Sequence, residues 1–213
     1  MKLNPLLSAS IAAVVLLMAG CASTGYEKAG DASTAVEKAA RGIHKGNGQI
    51  DSVLFALSSL INSPEADLKP QFAKFDTAVT KLESLSTDVN EQAAAMQVQG
   101  ADYFRTWDQE LAKIQNEDIR TRSTDRKNAV AVRFEKVRVS YVQTKADFAP
   151  FMSDLKDIRT ALATDLTAGG IASIKKIANK ADDNAAPLRK SLTHLEEDFK
   201  DLGVALSATT PAK

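Results

Sequence analysis

The sequence predicts an all-α protein, an elongated antiparallel four-helix bundle or coiled coil in which the two central helices are long and project as a hairpin. Apolar residues recur at alternating steps of three and four through four successive segments, which is the spacing of helices packed side by side. Short polar or glycine-containing stretches separate these segments. The chain has ten glycines, six prolines and little of the alternating pattern that predicts strands.

The N-terminal residues have the layout of a secretory signal peptide. Lys2 supplies a positive charge, an apolar run occupies residues 6–19, and the last residue of that run and Gly20 are small. The run is shorter than the roughly 20 residues that a membrane-spanning helix needs. We therefore predict a signal peptide over residues 1–20, which ends directly before Cys21, the only cysteine of the chain.

The segment Met18-Ala19-Gly20-Cys21 resembles the bacterial lipobox, in which an aliphatic residue and two small residues precede a cysteine. The resemblance implies that Cys21 becomes the first residue and is acylated, for example with palmitate. About two acyl chains make a stable membrane anchor. Ala22 follows the cysteine, where an aspartate would favour retention in the inner membrane of enteric bacteria. By that resemblance the anchor lies in the outer membrane, on its periplasmic face.

The composition of the mature chain limits its class. Removal of residues 1–20 leaves 193 of the 213 residues, enough for one domain with a hydrophobic core. Without Lys2 the chain carries 26 basic and 27 acidic residues, a net charge of −1, which argues against a nucleic-acid partner. We expect a lipidated, flexible tether over residues 21–30, a bundle domain over 31–207 and a disordered tail over 208–213.

The first helix follows Val36, Ile43, Ile50 and Leu57. Three glycines lie inside this segment, and each lowers the stability of the helix by up to about 1 kcal/mol relative to alanine. The pattern continues across them, so it predicts a weak helix, with a break near Gly46 as the alternative. Ser63 is expected to cap the second helix, and Pro64 to be its first residue. The core positions expected for the second helix are Leu68, Phe72, Phe75, Val79, Leu82, Ser86, Val89, Ala93, Met96, Gly100, Phe104, Trp107, Leu111 and Ile114.

The third helix is expected to begin after a polar stretch over residues 116–125. Its core positions are Val130, Phe134, Val137, Tyr141, Thr144, Phe148, Phe151, Leu155, Ile158 and Leu162. The second and third helices would then be roughly 70–80 Å long, and the outer two roughly 45–55 Å. The long pair would continue as an uncovered hairpin above about Gly100 and Tyr141. The spacing of four on both sides of Gly100 is a stutter that lies near this transition.

The fourth helix follows a turn at residues 167–170 and ends near Ser207. Pro150 and Pro187 fall inside the third and fourth patterns, where we expect them to kink the helices rather than end them. The expected core positions of the fourth helix are Ile171, Ile174, Ala178, Ala181, Ala185, Leu188, Leu192, Leu195, Phe199, Leu202 and Leu206.

The residues that carry chemistry form no recognisable catalytic or metal-binding pattern. His44 and His194 are the only histidines, and neither follows a glutamate at the spacing of di-iron bundles. A solvated helix face is the preferred interpretation of both, against a metal ligand. No nucleophile motif or glycine-rich phosphate loop occurs. The sequence therefore predicts a protein that is not an enzyme and has no cofactor and no metal site.

The hairpin is the part of the fold where we expect a functional surface. If its turn centres near Arg120, Trp107 faces Phe134 and Phe104 faces Val137 across the antiparallel pair. These four residues are then a core that stiffens the hairpin. The alternative for the aromatic residues is a ligand platform.

Charge is distributed unevenly along this hairpin. Residues 119–138 carry seven basic and two acidic side chains, a net charge of +5, whereas residues 102–118 carry two basic and five acidic ones, a net charge of −3. We interpret the flanking charges as cross-helix pairs, each worth under about 1 kcal/mol. The tip of the hairpin has two interpretations. It is either a solvated turn or a docking site that points away from the membrane. The residues of this possible partner-binding tip are Arg120, Arg122, Arg126 and Lys127.

The chain resembles an uncharacterised family of proteobacterial helical lipoproteins, a domain of unknown function. The resemblance covers most of the mature chain and lies in residues 26–28, 36–38, 107–111, 120–138 and 162–174, followed by Leu188. It implies a helical fold and an envelope location, and it transfers no catalytic residue. We expect a periplasmic structural or protein-interaction module that is held to the membrane by its lipid. Its partner would be an envelope protein or an anionic envelope polymer. The alternative is a chaperone-like or lipid-binding helical module.

Overall fold

The computed structural model describes residues 25–207. This part of the chain forms four helices and no strand: α1 over Gly25–Asn62, α2 over Lys69–Leu111, α3 over Glu117–Thr164 and α4 over Ala168–Leu206. The predicted all-α bundle is confirmed. Residues 1–24 and 208–213, which include the predicted signal peptide, Cys21 and the predicted tail, lie outside the described residues.

Helix α1 begins earlier than the sequence predicts. Residues 25–30, assigned to the flexible tether, form its first turns. Ala29 packs against the core and Ala32 is buried, so the small residues that suggested a tether serve as close-packing helix residues. The helix is also continuous through Gly46, and the alternative of a break there is wrong. Ile43 and Ile50, one on each side, are buried and hold this stretch against the bundle.

The connection between α1 and α2 is longer than predicted, and the expected start at Ser63 and Pro64 is wrong. Helix α2 begins at Lys69, with Pro70 in its first turn. Buried Gln71 organises the connection: its side-chain oxygen accepts a hydrogen bond from the Glu65 N–H at 3.0 Å, and its amide nitrogen donates to the Ser63 carbonyl at 3.0 Å. The buried amide satisfies backbone groups of the loop, which an apolar residue would leave unpaired.

The turn between α2 and α3 lies at residues 112–116, and its predicted position near Arg120 is wrong. Asn116 caps α3, because its side-chain oxygen accepts a hydrogen bond from the Ile119 N–H at 3.0 Å. Glu117 and Asp118 then place negative charge in the first turn, where the helix dipole favours it. This cap and its acidic residues start the helix three residues before Arg120.

The turn between α3 and α4 lies at residues 165–167, about two residues before the predicted 167–170, and both glycines belong to the first turn of α4. Thr167 caps α4 by accepting a hydrogen bond from the Gly170 N–H at 3.1 Å. Gly170 is buried, and a Cβ atom added there would lie 2.0 Å from the Asp165 carbonyl oxygen. Pro150 and Pro187 lie inside α3 and α4 without ending either helix, as expected.

The helices pack mainly as two pairs, α1 with α2 and α3 with α4, and α1 also packs against α4. Two buried carboxylates join the second pair. Asp198 of α4 pairs with Lys136 of α3 at 2.6 Å, and Asp154 of α3 pairs with Lys180 of α4 at 2.9 Å. Asn184 also donates to Asp154, at 2.8 Å. Each buried carboxylate is paired, so burial leaves neither charge uncompensated.

The contact between α2 and α3 is the smallest of the four helix contacts. These two helices project beyond the others, as predicted, but over a shorter distance. The Arg126 guanidinium reaches the Ala205 carbonyl in the last turn of α4, so only the nine residues of α3 before Arg126, about 13 Å, extend past α4. With the turn near Arg120, the projection expected above Tyr141 was about 32 Å. The difference arises because α4 continues to Leu206 and covers α3 as far as Arg126, instead of ending beside Tyr141.

Candidate functional site

Aromatic side chains fill the end of the bundle where α2 meets α3. The rings of Phe104 and Phe134 lie edge to face with centroids 5.2 Å apart, and Trp107 and Tyr103 lie 5.2 Å apart. The Trp107 indole N–H donates to the Ser123 hydroxyl at 3.0 Å. Each aromatic pair adds about 0.5–1.5 kcal/mol of stability beyond the contribution of its buried area. The Phe104–Phe134 contact and the indole hydrogen bond hold the ends of α2 and α3 together.

The predicted register of this core is wrong by several residues. Phe104, rather than Trp107, meets Phe134, and Trp107 lies opposite Ser123. Val137, predicted to face Phe104, is fully buried in the main core of the bundle. The cause is the turn at residues 112–116, which lies closer to the N-terminus than expected and shifts every cross-helix pair. The Asn116 cap was the sequence signal that could have located it.

Gly100 permits the close approach of α2 and α3 at this core. It is buried, and an added Cβ atom would lie 2.7 Å from the Phe134 ring. The residue at the predicted stutter is therefore small because an aromatic ring from the facing helix occupies the space of its side chain.

Three of the four predicted tip residues are engaged within the molecule. Lys127, only 19% exposed, pairs with Asp108 of α2. Arg126 donates to the Ala205 carbonyl at 2.6 Å, and Arg120 donates to the Ile114 carbonyl at 3.3 Å. Arg122 is exposed, and its side chain has no hydrogen bond or ion pair with the part of the chain that the structure describes. The predicted tip is therefore spread over the first three turns of α3, and its role in partner binding stays a prediction.

An ion-pair cluster joins α2 and α3 farther along the bundle. Glu83 accepts from Arg159 at 2.9 Å and pairs with Lys156 at 3.2 Å. Burial raises the pKa of the Glu83 carboxyl, but the hydrogen bonds and charges of Arg159 and Lys156 outweigh burial and hold its pKa below the ordinary value. The cluster therefore stabilises the fold above the pKa of the unfolded chain, and this contribution is lost as pH falls through the folded pKa.

An apolar cavity of about 180 Å³ opens between α2 and α3 at mid-bundle. All four helices contribute to its walls, and Gly46 of α1 leaves part of one wall open. The Tyr141 hydroxyl and Asn90 side-chain oxygen, 2.6 Å apart, lie at its mouth with Lys145. The apolar residues of the wall are Ile43, Ile50, Leu82, Leu85, Val89, Phe148, Ala149, Leu188 and Leu192.

Sequence reasoning missed this cavity. A heptad pattern marks the residues that face the interior, and most of the wall residues occupy such positions. The pattern does not show whether facing helices meet. Because α2 and α3 separate between the Glu83 cluster and the aromatic end, interior positions there line a space instead of contacting each other.

The two histidines lie on helix surfaces. The imidazole of His44, 84% exposed, lies 3.7 Å from Glu196, and that of His194 lies 3.6 Å from Glu197. Within residues 25–207, no three histidine, cysteine, aspartate or glutamate side chains are grouped closely enough to hold a metal ion. None of the four described helices has an apolar stretch long enough to cross a membrane.

Comparison with known proteins supports the family assignment. The profile of a family described as a protein of unknown function, DUF2959, matches residues 19–199. The chain belongs to this family. The match begins two residues before Cys21 and includes all four helices up to the last two turns of α4. Curated proteins provide no match to the chain. Solved structures provide none either.

Proposed function

We propose that this DUF2959 protein is a non-enzymatic lipoprotein of a proteobacterial envelope. Cys21 at the lipobox anchors it to the periplasmic face of the outer membrane, and the helical bundle acts as a structural or protein-interaction module. An envelope protein or an anionic envelope polymer is the proposed partner. The lipobox-like segment and the amino acid after Cys21 support the anchor and its location.

The lipobox-like segment before Cys21 carries this proposal, and the start of α1 determines how such an anchor would orient the bundle. Gly25 lies four residues after Cys21, and four residues extend at most about 14 Å. Antiparallel α1 and α2 place Asp31 and Gln99 along one groove, so Gly25 lies about 9 Å farther toward the α2–α3 turn. A lipid on Cys21 would therefore hold the bundle directly at that end.

This geometry reverses the expected orientation of the basic residues. The tip of the predicted hairpin pointed away from the membrane. In the structure, the start of α1, the α2–α3 turn and the end of α4 lie at the same end of the bundle. Anchored at Cys21, the protein would turn Arg122 toward the membrane. The opposite end, which contains the α1–α2 and α3–α4 connections, would point into the periplasm and is the surface we propose for the partner.

Metabolic labelling with palmitate tests the anchor. Cys21→Ser should abolish the label, because the lipidated sulfur is removed. Ala22→Asp is the matched control: it keeps the cysteine, so the label should persist while the protein moves from outer-membrane to inner-membrane fractions. Label retained in Cys21→Ser contradicts the anchor. Label in Ala22→Asp with an unchanged membrane fraction contradicts the sorting assignment alone.

A lipid-binding module is the second candidate function. The apolar cavity between α2 and α3 supports it, because cavities with apolar walls and a few polar groups at the mouth are typical of small-ligand sites. Binding of an uncharged apolar dye by the folded protein, with 1:1 saturation, tests this candidate. Absence of saturable dye binding contradicts it.

A further inference from the structure

We propose that the cavity between α2 and α3 binds one acyl chain whose head group is anionic and lies beside Lys145. Free fatty acids and lysophospholipids share this chemistry. The proposal rests on the second candidate function and deepens it by naming the ligand. It does not depend on acylation of Cys21.

The size and walls of the cavity fit a single apolar group. Its volume of about 180 Å³ compares with about 150 Å³ for an engineered apolar cavity that stays dry and binds benzene. An acyl chain would contact aliphatic and aromatic carbons from all four helices. Water has few polar partners in such a space, so an apolar ligand is the favoured occupant.

The cavity opens through the smallest helix contact of the bundle. One hydrogen bond, from the Tyr141 hydroxyl to Asn90, joins α3 and α2 at the mouth. The Glu83 cluster holds the two helices together on one side of the mouth, and the Phe104–Phe134 contact holds them on the other. A chain longer than the cavity could therefore extend through the gap without separating the helices at either tie.

Charge at the mouth selects the head group. Lys145 is exposed and lines the opening, and its side chain forms no ion pair or hydrogen bond with any residue between 25 and 207. The Tyr141 hydroxyl and the Asn90 side chain, which are hydrogen-bonded to each other, are further polar groups of the same lining. A carboxylate or phosphate on the ligand would pair with the ammonium while its chain lies among carbon atoms.

Two glycines of α1 provide a matched test of the site. Gly46 lines the cavity, Gly48 is exposed, and an added Cβ atom meets nothing within 4 Å at either position. The four helices that the structure describes lie within residues 25–207, so the chain from Ala22 onward contains all of them. We expect dodecanoate to bind it 1:1 by titration calorimetry. Gly46→Leu should weaken binding at least about tenfold, equivalent to about 1.4 kcal/mol, and Gly48→Leu less than about twofold.

The head group is tested with Lys145→Glu and a control at Lys190, an exposed lysine outside the cavity. Lys145→Glu should weaken dodecanoate binding by up to about fivefold and leave dodecanol binding unchanged. Lys190→Glu should change neither. Lysophosphatidylglycerol, compared with dodecanoate, distinguishes the two ligand sources: the source that binds more tightly to the wild-type chain is the one the site favours.

Three results would overturn parts of this proposal. If neither dodecanoate nor dodecanol binds the folded chain, the ligand and the lipid-binding function both fail. If Gly46→Leu and Gly48→Leu weaken binding equally, the ligand lies elsewhere. If dodecanol binds as tightly as dodecanoate and Lys145→Glu has no effect, lipid binding survives and the anionic head group is wrong. Circular dichroism of each variant confirms that the bundle is folded.

Discussion

Gly100 shows how a single residue sets the distance between two helices. A glycine inside a helix is unfavourable by about 1 kcal/mol relative to alanine, so burial of this one needs a structural reason. The reason is the Phe134 ring, which occupies the space of a Cβ atom. Gly100 therefore lowers the helix propensity of α2 but permits a close aromatic contact between α2 and α3.

We predict that Gly100→Ala destabilises the protein by about 1–3 kcal/mol, because the Phe134 ring must move from its packed position. Gly48→Ala, in the exposed part of α1, should stabilise it by up to about 1 kcal/mol through helix propensity alone. Urea unfolding of both variants measures the difference. Equal stabilisation by the two substitutions would show that the Phe134 contact adapts without cost.

At the scale of helices, Arg126 links the end of α4 to the side of α3. The last carbonyls of a helix lack intrahelical donors and carry partial negative charge. The Arg126 guanidinium supplies a donor and a positive charge to the Ala205 carbonyl. A residue that sequence reasoning placed in a solvated turn therefore caps a helix that begins more than forty residues later.

We predict that Arg126→Gln lowers the free energy of unfolding by about 0.3–1 kcal/mol, because α4 loses its charged cap. Arg122→Gln removes the same charge four residues away, where no described residue pairs with it, and should change stability by less than about 0.5 kcal/mol. Denaturant unfolding at low salt measures both, and hydrogen exchange at the end of α4 locates the effect. An equal loss in both variants would mean that net charge, not the cap, is responsible.

At the scale of the whole molecule, four similar helices make a rod. Helix α3 has 48 residues and is about 72 Å long, and α1, the shortest, has 38 residues and is about 57 Å long. Antiparallel pairing places these lengths side by side. Such a rod, held at one end, would display its other end far from the point of attachment.

We predict that small-angle scattering of the chain from Ala22 onward gives a radius of gyration of at least about 21 Å, as for a rod about 72 Å long. A compact domain with the same number of residues would have a radius of gyration of about 16 Å. The longest dimension should be about 80 Å, as the sequence alone also predicts. A value near 16 Å would contradict the extended bundle even if circular dichroism showed the expected helicity.

The sequence by itself determined the class and the interior of this protein. Every expected core position of α4 is buried, from Ile171 to Leu206, because a 3-4 repeat assigns one face of a helix whatever the neighbouring helix is. It also located the α3–α4 turn, where Thr167 and Gly170 provide local signals. Such features depend on residues close together in the chain.

Only the tertiary structure decided how the helices meet. The register of α2 on α3 depends on the length of one turn, so placing that turn near Arg120 instead of at Asn116 mispaired Trp107. The cavity depends on a separation between facing helices, and the Arg126 cap joins residues 79 positions apart. Periodicity reports which face of a helix is buried, whereas the distance and level at which two faces meet depend on side chains from both.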